Sequence, residues 1–312
     1  MKLKTRPLVI GAYLTVCVVW GSTYLAIRVG VGDLPPFLFA GVRHLLAGLL
    51  LAAFCAATGQ AFPRKGRALF DHALVGLLLL AVANGLVVWA EQWVNSSVAA
   101  LLVATVPLFA AWLGALTGGR RVGPLGWLGL LIGLLGVALL AGPAAPQGGR
   151  WLAGAAVLLL ASFSWALGSV YAQRRRANGA ILPGISLQML AAGIALIAAG
   201  LALGQAAGVR PTACGLAALA YLVLIGSLLG YCAYVYLLRN MPAARAATYA
   251  YVNPAVAVVL GYLVLGEPIT ARMLAALPLI LGGVLLAQLG GSAGKGKGDA
   301  AGAAPSAAGR AG

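Results

Sequence analysis

Val103-Ala104-Thr105-Val106-Pro107-Leu108 and Ala250-Tyr251-Val252-Asn253-Pro254-Ala255 are two versions of one stretch, and Pro254 lies 147 residues beyond Pro107 (254 − 107 = 147). The same offset carries Gly21-Ser22-Thr23-Tyr24 onto Gly168-Ser169-Val170-Tyr171, Ala99-Ala100 onto Ala246-Ala247, Gly114 onto Gly261 and Gly136 onto Gly283. It slips once: Arg43 to Ala53 match Gln188 to Ala198 at 145, which a two-residue change in the preceding loop explains. Each copy holds five apolar segments, an odd number, so the second copy has to enter a membrane from the opposite side. An inverted repeat of this kind is the usual build of alternating-access carriers, with the solute held near the midplane between the halves.

The repeat sits in a chain made for lipid. Of 312 residues 62% are hydrophobic and 8% charged, against about a quarter charged in soluble domains. The net charge of +16 does not point to nucleic acid, because the cations fall in short loops between apolar runs, where they act as topology signals. A helix needs about 20 apolar residues to cross the hydrocarbon. Ten stretches qualify: 8–28, 37–58, 72–91, 97–117, 124–142, 151–171, 183–204, 214–238, 245–266 and 272–290. The sequence thus predicts an all-α integral membrane protein of ten transmembrane helices, as two inverted five-helix units (8–142 and 151–290) around a central cavity. The tail 291–312 is rich in Gly, Ala, Ser and Lys and reads as disordered. Lys2, Lys4 and Arg6 precede an apolar run too long for a cleaved signal, so that run is read as the first span.

Charge fixes the expected orientation. With the N-terminus inside, sixteen Lys and Arg fall on the cytoplasmic side and four (Arg28, Arg150, Arg210, Arg272) outside; Arg43, within a span, completes the chain's 21. That bias places both termini in the cytoplasm.

Arg43 is the strongest pointer to function. It lies about 9 Å below the outer boundary, six residues into the second span at 1.5 Å each. A guanidinium there snorkels, pairs with an acid, or lines a solute path. Its best partner by depth is Glu91, and the two are expected to pair as a gate. The five acids are Asp33, Asp71, Glu91, Glu267 and Asp299, none near mid-span. An exporter of lipophilic cations is therefore disfavoured, though Glu91 or His44 could titrate and couple a proton. His72, at a span boundary, reads as a solvated flank.

Polar and aromatic residues recur in particular spans: Trp20, Ser22, Thr23 and Tyr24 in the first, Asn84 in the third, Trp165, Ser169 and Tyr171 in the sixth, Tyr231 and Tyr234 in the eighth, Tyr249, Tyr251 and Asn253 in the ninth. An interfacial belt explains Tyr24 and Tyr171. It does not explain Asn84 and Asn253, which either join helices or meet a solute. Pro107 and Pro254 share one repeat position, and Pro breaks at matching positions of two halves point to a binding region or a packing kink. Gly126, Gly129, Gly133 and Gly136 share one helix face and read as close packing, with a homodimer contact left open. The four cysteines (Cys17, Cys55, Cys214, Cys232) have no metal-like spacing, and no Walker-type glycine loop occurs. No metal, cofactor or direct ATP use is expected, and no constellation for an enzyme is visible.

Trp20-Gly21-Ser22-Thr23-Tyr24 followed by Pro35-Pro36 and Arg43, and Tyr249-Ala250-Tyr251-Val252-Asn253-Pro254 followed by Gly266-Glu267, resemble the EamA family of the drug/metabolite transporter superfamily. Ala81-Val82-Ala83-Asn84-Gly85 and Ser164-Trp165-Ala166-Leu167-Gly168-Ser169-Val170-Tyr171 extend the resemblance over 8–290. It implies export of small metabolites, amino acids or drugs across the bacterial inner membrane, with spans five and ten away from the cavity. The expected substrate-contacting set is Trp20, Ser22, Thr23, Tyr24, Arg43, Asn84, Pro107, Trp165, Ser169, Tyr231, Tyr234, Tyr251, Asn253 and Pro254. The expected partners are a small-molecule solute and the lipid bilayer. An alternative reading is uptake or antiport of an anionic or sugar-linked solute, with Arg43 as counter-charge.

Overall fold

The computed structural model describes residues 6–117, 123–141, 148–175, 181–241 and 243–290. Arg120, Arg121 and the tail from 291, to which the sequence assigns topology and disorder, lie outside the described residues.

Among the described residues every regular element is helical. Eight helices are long and apolar enough to cross a membrane: α1 Pro7–Asp33, α2 Pro36–Ala57, α3 Gly66–Ala90, α4 Ser96–Leu116, α6 Arg150–Arg174, α7 Ile181–Ala202, α8 Ala213–Asn240 and α9 Ala247–Leu265. Two further apolar helices are α5 Pro124–Ala141 and α10 Ala271–Gly290. The outer surface of the bundle is greasy: Leu8, Leu131 and Leu263 are 66, 59 and 70% exposed. In water such surface would be a large uncovered patch; facing lipid tails it costs nothing.

Glycine decides which helices touch. α2 lies along α7, and a Cβ on Gly41 would stand 2.8 Å from the main-chain N of Ile197, one on Gly48 2.9 Å from that of Leu190. α5 lies along α10 in the same manner: a Cβ on Gly136 would meet the Ile280 main-chain N at 2.9 Å, and one on Gly283 the Gly129 carbonyl at 2.6 Å. Without a hydrophobic drive between helices in lipid, close backbone approach at small residues supplies the attraction. All four glycines of the α5 face are buried. That face is therefore occupied within the chain by α10, in keeping with the reading of it as close packing.

Four spans depart from α-geometry, in two matching pairs. α3 carries a π-helical stretch at Leu77–Asn84 and α8 one at Leu222–Tyr231. α4 breaks at Ala104–Thr105 and restarts at Val106–Leu116. α9 opens as 3₁₀-helix, Ala247–Tyr251, and becomes α-helix at Asn253–Leu265. Pro107 and Pro254 each stand at the second residue of the restarted α-helix. There a missing N–H leaves no intrahelical bond unmade, so the prolines start new helical segments and do not kink continuous ones. α2, α7 and α9 stop at Gly59, Gly204 and Gly266, with φ of 68°, 69° and 65°, a conformation a Cβ disfavours.

Neighbouring glycines on α10 give a contrast. A Cβ on Gly283 points into the backbone of α5, whereas one on Gly282 meets nothing within 4 Å. Gly283→Ala is expected to destabilise the purified protein by about 1–3 kcal/mol, the usual cost of overpacking. Gly282→Ala should be neutral or stabilising by up to about 1 kcal/mol through helix propensity. Thermal unfolding in detergent, read by size-exclusion chromatography, separates the two.

Candidate functional site

Trp20 to Tyr24 lie in unbroken α-helix because the hydroxyls bond back into their own turn. Ser22 Oγ donates to the Val19 carbonyl at 2.7 Å and Thr23 Oγ1 to that of Trp20 at 2.8 Å. Ser162 and Ser169 do the same in α6, to Leu158 (2.8 Å) and Trp165 (2.7 Å). Low hydropathy here thus needs no helix break. It leaves the indole of Trp20 free to turn inward, where its Nε1 donates to the Gly226 carbonyl of α8 at 3.1 Å. Around it stand Trp165, Tyr234 and Tyr249, with ring centroids 5.2, 5.0 and 4.9 Å away. Edge-to-face contacts of this kind fix ring orientation.

This aromatic cluster walls one side of a cavity lined from α1, α2, α3, α4, α6, α8 and α9. Its free space is about 60 Å³, room for roughly four to six waters at about 10–15 Å³ each. Eight of the expected contact residues line it: Trp20, Thr23, Tyr24, Arg43, Asn84, Trp165, Tyr231 and Asn253. Tyr234 and Ser169 stand behind the wall, bonded to each other at 2.8 Å, and Trp165 Nε1 donates to the Tyr234 hydroxyl at 3.1 Å. Ser22 points toward α8, where Tyr221 meets it at 2.6 Å. Pro107 and Pro254 are buried and do not line the cavity, although Val103 and Val106, on either side of the α4 break, do. The side chain of Tyr251 lies outside the described residues. The lining also includes Ser162, Gly226, Ser227 and Tyr249. Ser227 and Gly226, in an otherwise apolar stretch of α8, gave no repeat or motif signal.

Arg43 is 4% exposed. Its Nε donates to Ser227 Oγ at 2.8 Å and its Nη1 to Asn84 Oδ1 at 3.4 Å. No ion pair joins it to Glu91: among the described residues the salt bridge is Arg67–Asp71, at 3.5 Å. The expected gate pair is therefore not formed. A similar expected depth says nothing of azimuth, and Glu91 is not among the cavity-lining residues. Its carboxylate is fully buried with neither oxygen hydrogen-bonded, while Arg28 Nη1 donates to the main-chain carbonyl of Glu91.

His44 also lines the cavity. Its Nε2 lies 3.1 Å from Asn84 Oδ1. That oxygen can only accept, so Nε2 is the donor in this pair, and Nδ1 has no hydrogen-bond partner. Asn84 thereby holds α2 to α3. Asn253, with its amide oriented to satisfy the network, donates to the carbonyls of Tyr249 (3.2 Å) and Cys17 (3.0 Å) and holds α9 to α1. His72 is buried, with its Nδ1 3.2 Å from Gln188 Nε2. The solvated-flank reading fails because α7 packs over it, Gly184 leaving room for the ring.

Glu267 has the opposite fate to Glu91. Gly266 turns the chain so that the Glu267 carboxylate reaches the start of α4. There it accepts from Ser96 N (3.0 Å) and Oγ (2.9 Å) and from Ser97 N (3.2 Å) and Oγ (2.7 Å). A carboxylate at a helix N-terminus satisfies orphan N–H groups and complements the dipole.

A bundle of lipid-facing helices with an inward-turned aromatic and amide cavity, and with helix breaks confined to its wall, is the form of a membrane transporter. The chain belongs to the EamA-like transporter family, which it matches at residues 8–142 and 152–289. It is 44% identical over 291 residues to the uncharacterized inner membrane transporter YedA of Escherichia coli K12, covering 93% of this chain and 94% of YedA. It is 29% identical to the uncharacterized transporter YdfC of Bacillus subtilis, covering 93% of each. A solved crystal structure, 21% identical, superposes with a TM-score of 0.68 over 90% of this chain and 96% of its own, a likeness of fold.

The separate environments of Arg43 and Glu91 make their effects independent. Arg43→Ala and Glu91→Gln are expected to add in stability, with a coupling energy below about 0.5 kcal/mol. Glu91→Gln alone should cost little, since no bond to the carboxylate is lost. Glu267→Ala, which strips the α4 start of its acceptor, should cost about 1.5–3 kcal/mol. A double-mutant cycle on melting temperature measures all three.

Proposed function

We propose that the protein is a secondary transporter that exports a small organic metabolite, amino-acid-like or drug-like, across the bacterial inner membrane by alternating access. The observation that carries the reading is the cavity itself: it is walled by aromatic faces and amides from helices of both sequence halves, and it is the place where spans lose α-geometry. Irregular backbone at membrane depth is tolerated only where it faces protein or a cavity, and π-helical stretches recur at functional sites.

Ten spans in two inverted units of five, with both termini cytoplasmic, complete the proposal. It is supported by the register of the local irregularities. Asn84 ends one π-helical stretch and Tyr231 the other, 147 residues on (231 − 84 = 147). Gly59 and Gly204 cap α2 and α7 at the 145 offset (204 − 59 = 145). The family match in two portions agrees with two such units. The inner-membrane assignment rests on the family resemblance and on YedA, and the export direction on the family resemblance alone.

Flux into proteoliposomes, with the solute recovered chemically unchanged, tests the transport reading against an enzymatic one. Replacing Trp20, Tyr24, Asn84, Trp165 or Asn253 by Ala should lower flux about tenfold or more, the equivalent of losing about 1.4 kcal/mol of binding, while leaving insertion intact. Normal flux in all five would place the route elsewhere. For topology, single cysteines on a cysteine-free background should react from outside at Arg210 and only from inside at Lys65. The reverse pattern overturns the orientation.

A further inference from the structure

Arg43 brings a positive charge to the cavity wall and nothing there balances it. No acidic side chain is among the residues lining the cavity. Its two protein acceptors, Ser227 Oγ and Asn84 Oδ1, are neutral and use two of the five N–H donors of a guanidinium. Nη2 has no acceptor among the described residues. Beside it stands Gly226, packed so closely that a Cβ there would stand 3.1 Å from Nη2 and 3.0 Å from Thr23 Cγ2; the absence of a side chain lets the guanidinium sit at the wall of the cavity that both residues line. The Gly226 carbonyl accepts from Trp20 Nε1.

A buried cation without a counter-charge is expensive in a membrane. Such a cost is retained where a ligand supplies the missing charge. We propose that the cavity face of the Arg43 guanidinium is an anion subsite, and that the transported solute presents one carboxylate to it. This deepens the transport reading and rests on it. One guanidinium balances one negative charge, so a monoanionic carboxylate fits and a phosphate dianion would leave the site net negative. The planar fork matches a carboxylate in geometry as well as charge. The aromatic wall of Trp20, Trp165 and Tyr249 then takes the rest of the solute. An organic cation without a carboxylate finds no counter-charge here.

The test is ligand-induced thermal stabilisation of the purified full chain by L-lactate, benzoate and L-threonine, each beside its primary amide. The wild type is expected to bind at least one of these acids at least tenfold tighter than its amide. Arg43→Gln should abolish that preference. Its ligand-free melting temperature should hold or rise, because an unbalanced buried charge has gone. Arg43→Lys keeps a charge without the fork and should retain part of the preference. Gly226→Ala, which leaves every charge in place, should weaken acid binding by crowding Nη2. The subsite is overturned if amides bind as tightly as acids, if Arg43→Gln still prefers acids, or if no acid of the panel binds. Transport of a neutral or cationic solute by Arg43→Gln at the wild-type rate would sink the subsite and leave the transport reading standing. Failure of every solute to cross in proteoliposomes would sink the transport reading itself.

Discussion

Hydrocarbon offers no hydrogen bonds, and the rest of the structure follows from that. Each backbone N–H and C=O has to be satisfied within its own segment, so the chain is helical wherever it meets lipid. Hydroxyls obey the same rule. Ser22, Thr23, Thr105, Ser162 and Ser169 all return their protons to carbonyls three or four residues back. They are therefore compatible with membrane depth and leave the larger polar groups to decide where the interior lies. Helix starts are handled by loops: Gln205 Oε1 accepts from the main-chain N of Phe37 and Leu38 at 3.1 and 3.3 Å, and Glu267 covers the first turn of α4. Both reach across from the second half of the chain, so closing helix ends also joins the halves.

The same constraint separates two kinds of buried polar side chain. Asn253 spends its amide on carbonyls of α1 and α9 and acts as glue. Arg43 and His44 share a single acceptor, Asn84 Oδ1, and each retains unmade bonding capacity: Nη2 on one, Nδ1 on the other. A polar group with unused capacity inside a structure calls for an explanation, and here both groups line a cavity. Glu91 also has unused capacity, but it lies apart from the lining. Its carboxyl is fully buried with neither oxygen hydrogen-bonded, and burial of a polar group without such bonds is costly.

What the sequence made legible was whatever repeats or sets composition. Span positions, the paired prolines, and the cavity-lining places of Trp20, Asn84 and Trp165 all follow from hydropathy and offset. Pairing across helices was not legible. Arg43 and Glu91 were paired on expected depth, yet a helix turns 100° per residue, and a one-dimensional reading assigns no azimuth. The glycines of α5 were read as a packing face correctly, but their partner could as well have been another subunit until α10 was seen against them. His72 looked solvated by position, and only the seating of α7 over it, through Gly184, shows otherwise. Gly226 and Ser227 carry no signal in one sequence, because a glycine and a serine in an apolar run are the ordinary currency of membrane helices.

The repeat itself places an asymmetry at the centre of the protein. In the first half Arg43 of α2 bonds Asn84 of α3 at 3.4 Å. In the second half the matching positions are Gln188 of α7 (43 + 145) and Tyr231 of α8 (84 + 147), and they too bond each other, at 2.6 Å. One geometric plan therefore produces two polar links, one in each half. Only the first is charged, and only there does a guanidinium keep free donors beside a glycine. Gln188 and Tyr231 are neutral, and Gln188 is further engaged by His72. Arg43, Asn84 and Tyr231 line the cavity, and Gln188 is not among its lining residues. With an arginine at one matched position and a glutamine at the other, the positive charge at the cavity wall comes from the first-half link.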